Sequence, residues 1–567
     1  MTHMIYFRTL VVVALLGFGS LATSPTTAST IATTTHAAMA EPVKGPRVDS
    51  WAEGAQLFDD LGTLHRRMTT SSAQAQAYLD QGLRLAYSFN HDEAARSFAR
   101  AAQLDPNCAS CFWGVALTLG PNYNVPMLSE RAPVAWAALT KAKELAPRAS
   151  PVEQELIEAL SKRYGGAEPL EPPAMRPFNE AYAAAMREVA KKFPEDDDVQ
   201  ALFAEALMDV NPWKLWTRDG TANPGTDEIV ATLETVLKRN VNHPGANHYY
   251  IHTLEASPYP EKALPSADRL AALIPAAGHL VHMPAHIYQR VGRYADATES
   301  NRKAVEVDKK YLASTTPPGY YPMYIGHNYG FLAFSAFMEG RSAEALWASR
   351  ESAKAIPPEM LSMMPGMDFF ASEPILVMVR FSKWDDLLAE PRPDAKYPVL
   401  TALWLHGHGM ALVAKDRLDD AAKDHDELMQ LCEKLPADMT AGNSSAKDVA
   451  GLAAKILEAR MAEARKQPTA AALWAEAVKL EDGLAYSEPA DWFYPVRHFQ
   501  GAHLLASKKS KEAEAVYRED LQRNPSNGWA LYGLMEALKA QKKNATDVQE
   551  EYKKSWQRAD LPNAAVK

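Results

Sequence analysis

Cysteine is scarce in this chain, with three residues among 567, and this scarcity excludes a small scaffold held together by disulfides. Cys108 and Cys111 form a CxxC pair that an oxidising compartment could close, which makes them the candidates for a disulfide. The residue after the pair is Phe112, where a haem-attachment motif needs histidine. Cys432 lies on an apolar helical stripe and is interpreted as a core residue.

Blocks of basic residues are also lacking, and the formal net charge at pH 7 is −10. Tracking a phosphate backbone needs clustered Lys and Arg, so the sequence argues against nucleic acid as a partner. It contains no GxSxG elbow, no Walker loop and no GxGxxG after a strand, and few segments that resemble strands. These absences argue against nucleotide-dependent chemistry and favour an all-helical protein.

Charge is nearly absent from residues 1–40, where Arg8 is the single charged side chain. It precedes the apolar run LVVVALLGFGSLA and a Thr/Ser/Ala-rich tract, a layout that predicts a secretory signal peptide cleaved after Ala22, Ala28 or Ala40. The run is too short to span a bilayer, and no later segment is long and apolar enough to do so. We therefore expect a soluble protein that is exported to the periplasm or secreted.

Helix pairs are the feature that the chain has in abundance. The segment YLDQGLRLAYSFNHDEAARSFARAAQLDP, residues 78–106, contains two apolar-periodic helices separated by a short polar turn. It resembles the tetratricopeptide repeat, a helix-turn-helix unit of about 34 residues with small and aromatic residues at fixed positions and a closing proline. Those positions are occupied here by Gly82, Ala94, Phe98, Ala101 and Pro106.

The same spacing recurs along the chain and predicts about ten helix pairs. Such pairs bury their apolar faces against their neighbours, so the expected fold is all-α, a tetratricopeptide-like helical-hairpin solenoid with a right-handed superhelix and a concave groove. The predicted segments are a signal peptide and low-complexity tract at 1–40, N-terminal repeats at 41–150, a divergent helical connection at 151–243, histidine-rich repeats at 244–391 and C-terminal repeats at 392–567.

Histidine is concentrated in two short stretches. Of the sixteen histidines in the chain, six fall in HPGANHYYIH, residues 243–252, and GHLVHMPAHIY, residues 278–288. In the resembling family the first helix of each repeat lines the groove, chiefly with positions 2, 5, 9 and 12. The resemblance implies that these groove positions are held by His248, His252, Glu255, His279, His282, His286, Gln289 and His327.

Helical periodicity leads to the same grouping without the family. Residues 248, 252 and 255 are spaced i, i+4 and i+7 on a helix that Pro244 could open, and residues 282, 286 and 289 repeat that spacing on a helix opened near Pro284. If the two helices belong to adjacent repeats, four imidazoles, one carboxylate and one amide meet in one cavity. The residues predicted to supply hydrogen bonds around them are Tyr249, Tyr288 and Tyr324.

Clustered imidazoles are the ligands of a transition metal, because neutral imidazole suits copper, zinc and iron. Both HxxxH segments lack the glutamate that acts as general base in HExxH, so Glu255 is the candidate for a catalytic base or a carboxylate ligand. Copper is favoured for an exported site, with zinc or iron as alternatives. The predicted metal ligands are His248, His252, His279, His282, His286 and His327.

Two further groups offer weaker ligand chemistry. Arg497 and His498, in DWFYPVRHF, suit a ligand carboxylate or a peptide, with ordinary repeat packing as the alternative. His406 occupies a similar repeat position. EMLSMMPGM carries thioethers at helical spacing, a pattern more typical of a core stripe than of a copper site. Its methionines are Met360, Met363, Met364 and Met367.

Three functions remain open at this point. The first is a metalloenzyme that uses its ion as a Lewis acid or redox centre on a small molecule. The second is a peptide- or protein-binding scaffold of an envelope complex that needs no metal, as is common in the resembling family. The third is a metal chaperone or store, which differs from the enzyme in having no open coordination position and no turnover.

Overall fold

The computed structural model is helical through nearly all of the chain that it describes. The predicted signal peptide and Met360, Met363 and Met364 lie outside the described residues. Among the residues that are described, no helix combines the length and the apolar character needed to cross a membrane. The described residues are 47–317, 319–357, 361 and 365–566.

The N-terminal helices are joined by both short turns and longer connections, and polar side chains cap some of them. The hydroxyl of Ser72 accepts a hydrogen bond from the backbone N–H of Ala75, and the side chain of Asn90 accepts one from Glu93. The helices are α1 (Val48–Trp51), α2 (Ala73–Ala86), α3 (His91–Leu104), α4 (Ala109–Leu119), α5 (Ala132–Leu145), α6 (Pro151–Leu160), α7 (Pro172–Lys192), α8 (Asp197–Met208) and α9 (Thr226–Arg239).

The middle of the chain holds the histidine-rich helices, and several of them begin with proline, which costs no hydrogen bond at that position. They are α10 (Pro244–Leu254), α11 (Leu264–Leu273), α12 (Gly278–His282), α13 (Pro284–Arg290), α14 (Tyr294–Ser314), α15 (Pro322–Met338) and α16 (Ser342–Ala355). Short 3₁₀ segments elsewhere in the chain are Ser129–Arg131, Ala146–Arg148, Ser161–Arg163, Pro260–Ala263 and Met367–Ser372.

The C-terminal part continues as helix pairs, with one small antiparallel pairing of strands β1 (Thr440–Ala441) and β2 (Ser444–Ser445). Its helices are α17 (Glu373–Arg380), α18 (Trp384–Ala389), α19 (Pro398–Ala414), α20 (Leu418–Lys434), α21 (Ala446–Ala464), α22 (Ala470–Gly483), α23 (Val496–Ala506), α24 (Ser510–Arg523), α25 (Gly528–Ala540) and α26 (Thr546–Ser555).

Small residues let the predicted repeat pack closely. Gly82 on α2 and Gly114 on α4 both face the ring of Phe98 on α3, and a Cβ at Gly82 would lie 2.8 Å from that ring. Each helix in this region packs against the next, and α2 also contacts α4. The predicted all-α, tetratricopeptide-like helical-hairpin solenoid is therefore confirmed.

The solenoid curls so tightly that distant segments meet on its concave side. The carbonyl oxygen of Tyr87 lies 2.7 Å from Nδ1 of His248, and Gln289 donates to Glu488, 199 residues further along, at 2.8 Å. Trp529 Nε1 donates to the carbonyl oxygen of another distant helix, α15, at 3.0 Å. Segments far apart in the sequence therefore contact the histidine-rich helices.

Candidate metal centre

Helix α10 carries two histidines one turn apart. Pro244 opens the helix, and the His243 side chain caps it by accepting a backbone N–H hydrogen bond at 3.1 Å. The ring centroids of His248 and His252 are 4.9 Å apart, and Glu255 follows directly after the last helical residue. The predicted face of residues 248, 252 and 255 is therefore present.

The second histidine-bearing helix is interrupted in the middle. The sequence predicts a helix opened near Pro284, and α13 begins there. His282 lies on a separate short helix, α12, which begins at Gly278 and stops before Met283, because proline has no backbone N–H to donate. Met283 keeps helical angles, with φ −51° and ψ −34°, so α13 continues the direction of α12. The histidines of both halves therefore still meet in one place.

Six imidazoles converge in two groups of three, and the ring nitrogens of each group lie within 4.8 Å of one another. The shortest approach in the first group joins two Nε2 atoms at 3.2 Å, and in the second it joins two Nε2 atoms at 2.8 Å. Five side chains are buried and His327 is half-buried. The first triad is His248, His252 and His279, and the second triad is His282, His286 and His327.

Hydrogen bonds on the outer nitrogens fix the tautomers of two of the imidazoles. Nδ1 of His248 lies 2.7 Å from the carbonyl oxygen of Tyr87, and Nδ1 of His282 lies 2.6 Å from Oδ1 of Asn301. The Asn301 amide is oriented by donation from its nitrogen to the Ala297 carbonyl at 2.8 Å. Because both oxygens only accept, the proton lies on Nδ1 and the Nε2 lone pair points inward. Metal-bound histidines are typically held in this way.

Two carboxylates contact two of the other four imidazoles. Nδ1 of His286 lies 2.8 Å from a carboxylate oxygen of Glu255 and 2.8 Å from one of Glu488. The other oxygen of Glu255 lies 3.2 Å from Nδ1 of His252, and Gln289 donates to Glu488 at 2.8 Å. Glu255 therefore contacts the outer nitrogens of one histidine from each triad.

Burial sets the protonation of the six imidazoles. It lowers the pKa of His327 to about 3 and holds the pKa of four others well below the ordinary value of 6.5. Burial opposes charge on His286 as well, but the carboxylates of Glu255 and Glu488 outweigh it and raise the pKa of His286 to about 9. Burial also raises the pKa of both carboxyls. The four histidines whose pKa is held well below 6.5 are His248, His252, His279 and His282.

Two buried nitrogens of the first triad have no hydrogen-bond partner among the described residues, Nε2 of His252 and Nδ1 of His279. Such a group costs about 1–3 kcal/mol when left unsatisfied. The ring of Phe89 lies 5.6 Å from His252 and 5.7 Å from His279, and it offers no polar atom. A metal ion is a partner that suits Nε2 of His252, and the residues present therefore fit a transition metal.

A cavity of about 2080 Å³ adjoins the centre. Tyr123 and Trp213 line this cavity and also contact His252, with ring centroids 5.1 and 6.0 Å away. Gln289 and Glu488 line it as well. These four side chains therefore lie between the cavity wall and the centre.

The predicted tyrosines are divided between the centre and its surroundings. The ring of Tyr324 lies 4.7 Å from that of His279, and the ring of Tyr249 lies 5.5 Å from that of His248. Tyr288 instead donates its hydroxyl proton to Asp268 at 2.8 Å. Two of the three tyrosines therefore adjoin the first triad.

Arg497 and His498 belong to the C-terminal repeats and are engaged there. Arg497 lines the cavity and pairs with Asp482 and Glu519, each at 2.7 Å. Nε2 of His498 lies 2.9 Å from Asp520. The structure therefore does not bring His498 to the two triads, and it places Arg497 at the cavity wall.

The remaining candidates have local partners. His406 lies with Nδ1 2.9 Å from the Ala453 carbonyl oxygen and Nε2 2.8 Å from the Tyr494 hydroxyl. Cys108 and Cys111 are joined in a disulfide, as their spacing suggested. His406 is thus a buried histidine outside the centre, which makes it a suitable control position.

Glu488 and Asn301 are the polar partners that sequence reasoning missed. Nothing in the sequence links Glu488 to the histidines, since it follows Glu255 by more than two hundred residues and meets it through the curl of the solenoid. Asn301 did carry a signal. It lies on α14 in line with Ala297, Ala304 and other buried residues, where a polar side chain needs a partner.

Gly278 allows the second histidine helix to start against α14. A Cβ at this position would collide with the carboxylate of Asp308, which accepts hydrogen bonds from Tyr321 at 2.8 Å and Asn328 at 2.7 Å. We expect Gly278→Ala to lower the free energy of unfolding by about 1–3 kcal/mol and to weaken metal binding. Denaturant unfolding and metal titration measure the two effects.

Gly451→Ala is the matched control, because an added Cβ there meets no atom within 4 Å in the middle of a helix. Replacing this glycine should raise the free energy of unfolding by about 0.5–1 kcal/mol. If Gly278→Ala behaved like Gly451→Ala, the close approach of α12 to Asp308 would not constrain the helix.

Comparisons with known proteins give architecture only. No family model and no curated protein sequence matches the chain. The human IFIT1 dimer with m7Gppp-AAAA is 14% identical, with 91% of this chain and 98% of that chain covered and a TM-score of 0.35. Yeast Tom70 is 12% identical, with 85% of this chain and 91% of that chain covered and a TM-score of 0.27. The P58(IPK) TPR domain is 13% identical, with 83% of this chain and 99% of that chain covered and a TM-score of 0.22. At these values the likeness carries no argument about the site.

Proposed function

We propose that this chain is an exported metalloprotein whose buried polyhistidine centre binds a transition metal, with copper favoured and zinc or iron as alternatives. One observation carries the proposal: six imidazoles converge in two groups of three, and the outer nitrogens of His248 and His282 are held by oxygens so that their Nε2 lone pairs face inward. Export is supported by the composition of residues 1–40.

The energetics favour a ligand role over a structural one. Buried polar atoms are retained in proteins when they are satisfied, and an unsatisfied ring nitrogen costs about 1–3 kcal/mol. Here neutral imidazoles are packed against one another and against aromatic rings such as Phe89 and Phe331, which cannot donate conventional hydrogen bonds. Ligation of an ion would give Nε2 of His252 the partner that it lacks.

Three imidazoles on an ion leave a coordination position open, which is the arrangement of catalytic metal sites. We propose that the centre acts on a small molecule entering from the adjoining cavity, with the ion as a Lewis acid or, for copper or iron, a redox centre. Glu255 would hold His252 and His286 in position through their Nδ1 atoms, and it is also the candidate proton acceptor.

Metal analysis tests this proposal. The full-length protein, purified without a histidine tag from the compartment to which it is exported, should contain stoichiometric metal by mass spectrometry. A variant with His248, His252, His282 and His286 replaced by alanine should contain none, since each triad then retains a single imidazole. His406 is a buried histidine outside the centre, and replacing it by glutamine should leave the metal content unchanged.

Circular dichroism on all variants would check that loss of metal is not loss of fold. A wild-type protein that carries no ion and takes up no copper, zinc or iron on titration would refute the metal centre. Sequencing the N-terminus of the mature protein checks export separately, with a new terminus after Ala22, Ala28 or Ala40 as the expected result.

A second candidate function is a peptide- or protein-binding scaffold of an envelope complex, with no metal. The observation that favours it is the size of the cavity, about 2080 Å³, which exceeds the range of about 300–1,000 Å³ typical of small-ligand pockets. A single saturable partner captured from envelope extract, whose binding survives the four-histidine variant, would support the scaffold over the metalloprotein.

A further inference from the structure

The geometry divides the six imidazoles into two sites. Two ring nitrogens bound at about 2.0–2.1 Å to one tetrahedral ion lie about 3.4 Å apart. The Nε2 pairs within the triads, at 3.2 and 2.8 Å, approach this spacing. Among the described residues, the sets of three histidines that each bring a ring nitrogen within 4.8 Å of the others are these two triads, and no set mixes their members. Each triad therefore suits one ion.

We infer that the centre is binuclear, with one ion in each triad and a small anion bridging their open positions. This inference rests on the proposed function and specifies its ligand. Transition ions in proteins commonly take three or four nitrogen ligands, so six imidazoles exceed what one ion needs and match two ions with three each.

Helix α12 supplies histidines to both triads. Its His279 joins His248 and His252 of α10, whereas its His282 is grouped with His286 of α13 and His327 of α15. The first triad is thereby built from two helices and the second from three. Because α12 contributes to both, the two ions would be held next to each other.

Glu255 and Glu488 already have hydrogen-bond donors, and they contact histidine ligands instead of binding an ion themselves. Glu488 accepts from Gln289 and from the hydroxyl of Tyr486, and Glu255 lies against His252. His286 directs Nδ1 at both carboxylates while its Nε2 faces the second triad. The cluster of Glu255, His286 and Glu488 therefore supports a metal ligand and is not a third site.

Charge defines the class of ligand. Two divalent ions carry four positive charges, and the two carboxylates neutralise two of them. Arg290 adds another positive charge nearby, since it donates to the backbone carbonyl of Glu255 at 2.8 Å. An excess of buried positive charge needs an anion. Phe331 lies 4.5 Å from the rings of both His282 and His286, so the space suits a small anion rather than a bulky one.

Copper loading tests the inference. Metal-free full-length protein is loaded with Cu(II), freed of excess ion and analysed for copper by mass spectrometry and for unpaired spins by electron paramagnetic resonance. We expect two copper ions per chain. Addition of azide as the bridging probe should couple the two ions, so that the spin count falls well below the copper content.

Variants of each triad should separate the ions. His248→Gln with His279→Gln should leave one copper in the second triad, and His282→Gln with His327→Gln should leave one in the first. Each remaining ion should give its full spin signal with azide present. The matched control His406→Gln should retain two coupled ions.

The outcomes distinguish the inference from the proposed function. One copper in the wild-type protein overturns the binuclear assignment and leaves the metal centre standing, whereas no copper overturns both. Loss of both ions from a variant that circular dichroism shows to be folded overturns the separation into triads. Three ions would overturn the role given to Glu255 and Glu488. The wild-type stoichiometry decides the question even if a variant fails to fold.

Discussion

Acidifying the metal-free protein from pH 7.0 to pH 5.5 is expected to lower its free energy of unfolding by about 3–6 kcal/mol. The cause is the group of histidines that burial keeps neutral in the folded state and that regain a pKa near 6.5 on unfolding. Below that pH the unfolded chain binds more protons than the folded one, so stability falls with pH. The five histidines that burial keeps neutral in the folded state are His248, His252, His279, His282 and His327.

Three groups at the centre oppose this trend. The pKa of His286 is raised to about 9, so its contribution is fully present below pH 6.5 and is lost as the pH rises through about 9. The raised pKa values of Glu255 and Glu488 also make the folded state bind protons more tightly on acidification. Outside the centre, His91, with a pKa lowered to about 3, and His406, lowered to about 4, add to the loss.

Guanidinium unfolding of chelator-treated protein at the two pH values measures the effect. The four-histidine variant, with alanine at residues 248, 252, 282 and 286, should lose less stability on acidification, because three of the five buried neutral histidines are gone. An equal or higher unfolding midpoint at pH 5.5 in the wild-type protein would contradict the burial of neutral imidazoles.

Replacing Arg163 by leucine is expected to cost about 3–5 kcal/mol. Its guanidinium is fully buried, donates to Asp209 at 2.5 Å and lies over the ring of Tyr182 at 4.3 Å. Glu205, one turn before Asp209, is buried beside it. Without Arg163, two carboxyl groups would share an apolar space with no cation, and burial already raises the pKa of both.

Denaturant unfolding at pH 7 checks this cost, with an exposed ion pair as the control. Arg176 and Glu180 are each about half exposed, so Arg176→Ala should change stability by about 0–1 kcal/mol. Combining Arg163→Leu with Asp209→Asn and Glu205→Gln should recover much of the loss, since no uncompensated charge then remains. A cost below about 1 kcal/mol for Arg163→Leu alone would show that the buried carboxyls do not need their cation.

Much of the centre followed from helical periodicity. The i, i+4 spacing of His248 and His252, and of His282 and His286, determines that each pair shares a face, whatever surrounds it. The packing of Phe98 against Gly82 was equally local, because the residues belong to one helix pair. Regular repeats make such contacts predictable, since each unit packs mainly against its neighbours.

The sequence by itself determined the helix pairs, the shared histidine faces and the all-helical class of the fold, all of which depend on residues close together in the chain. Only the tertiary structure decided that His279 joins a different triad from His282 and that Glu488 reaches His286. These contacts depend on the curl of the solenoid. Small rotations add up over many repeats, and local sequence does not encode their sum.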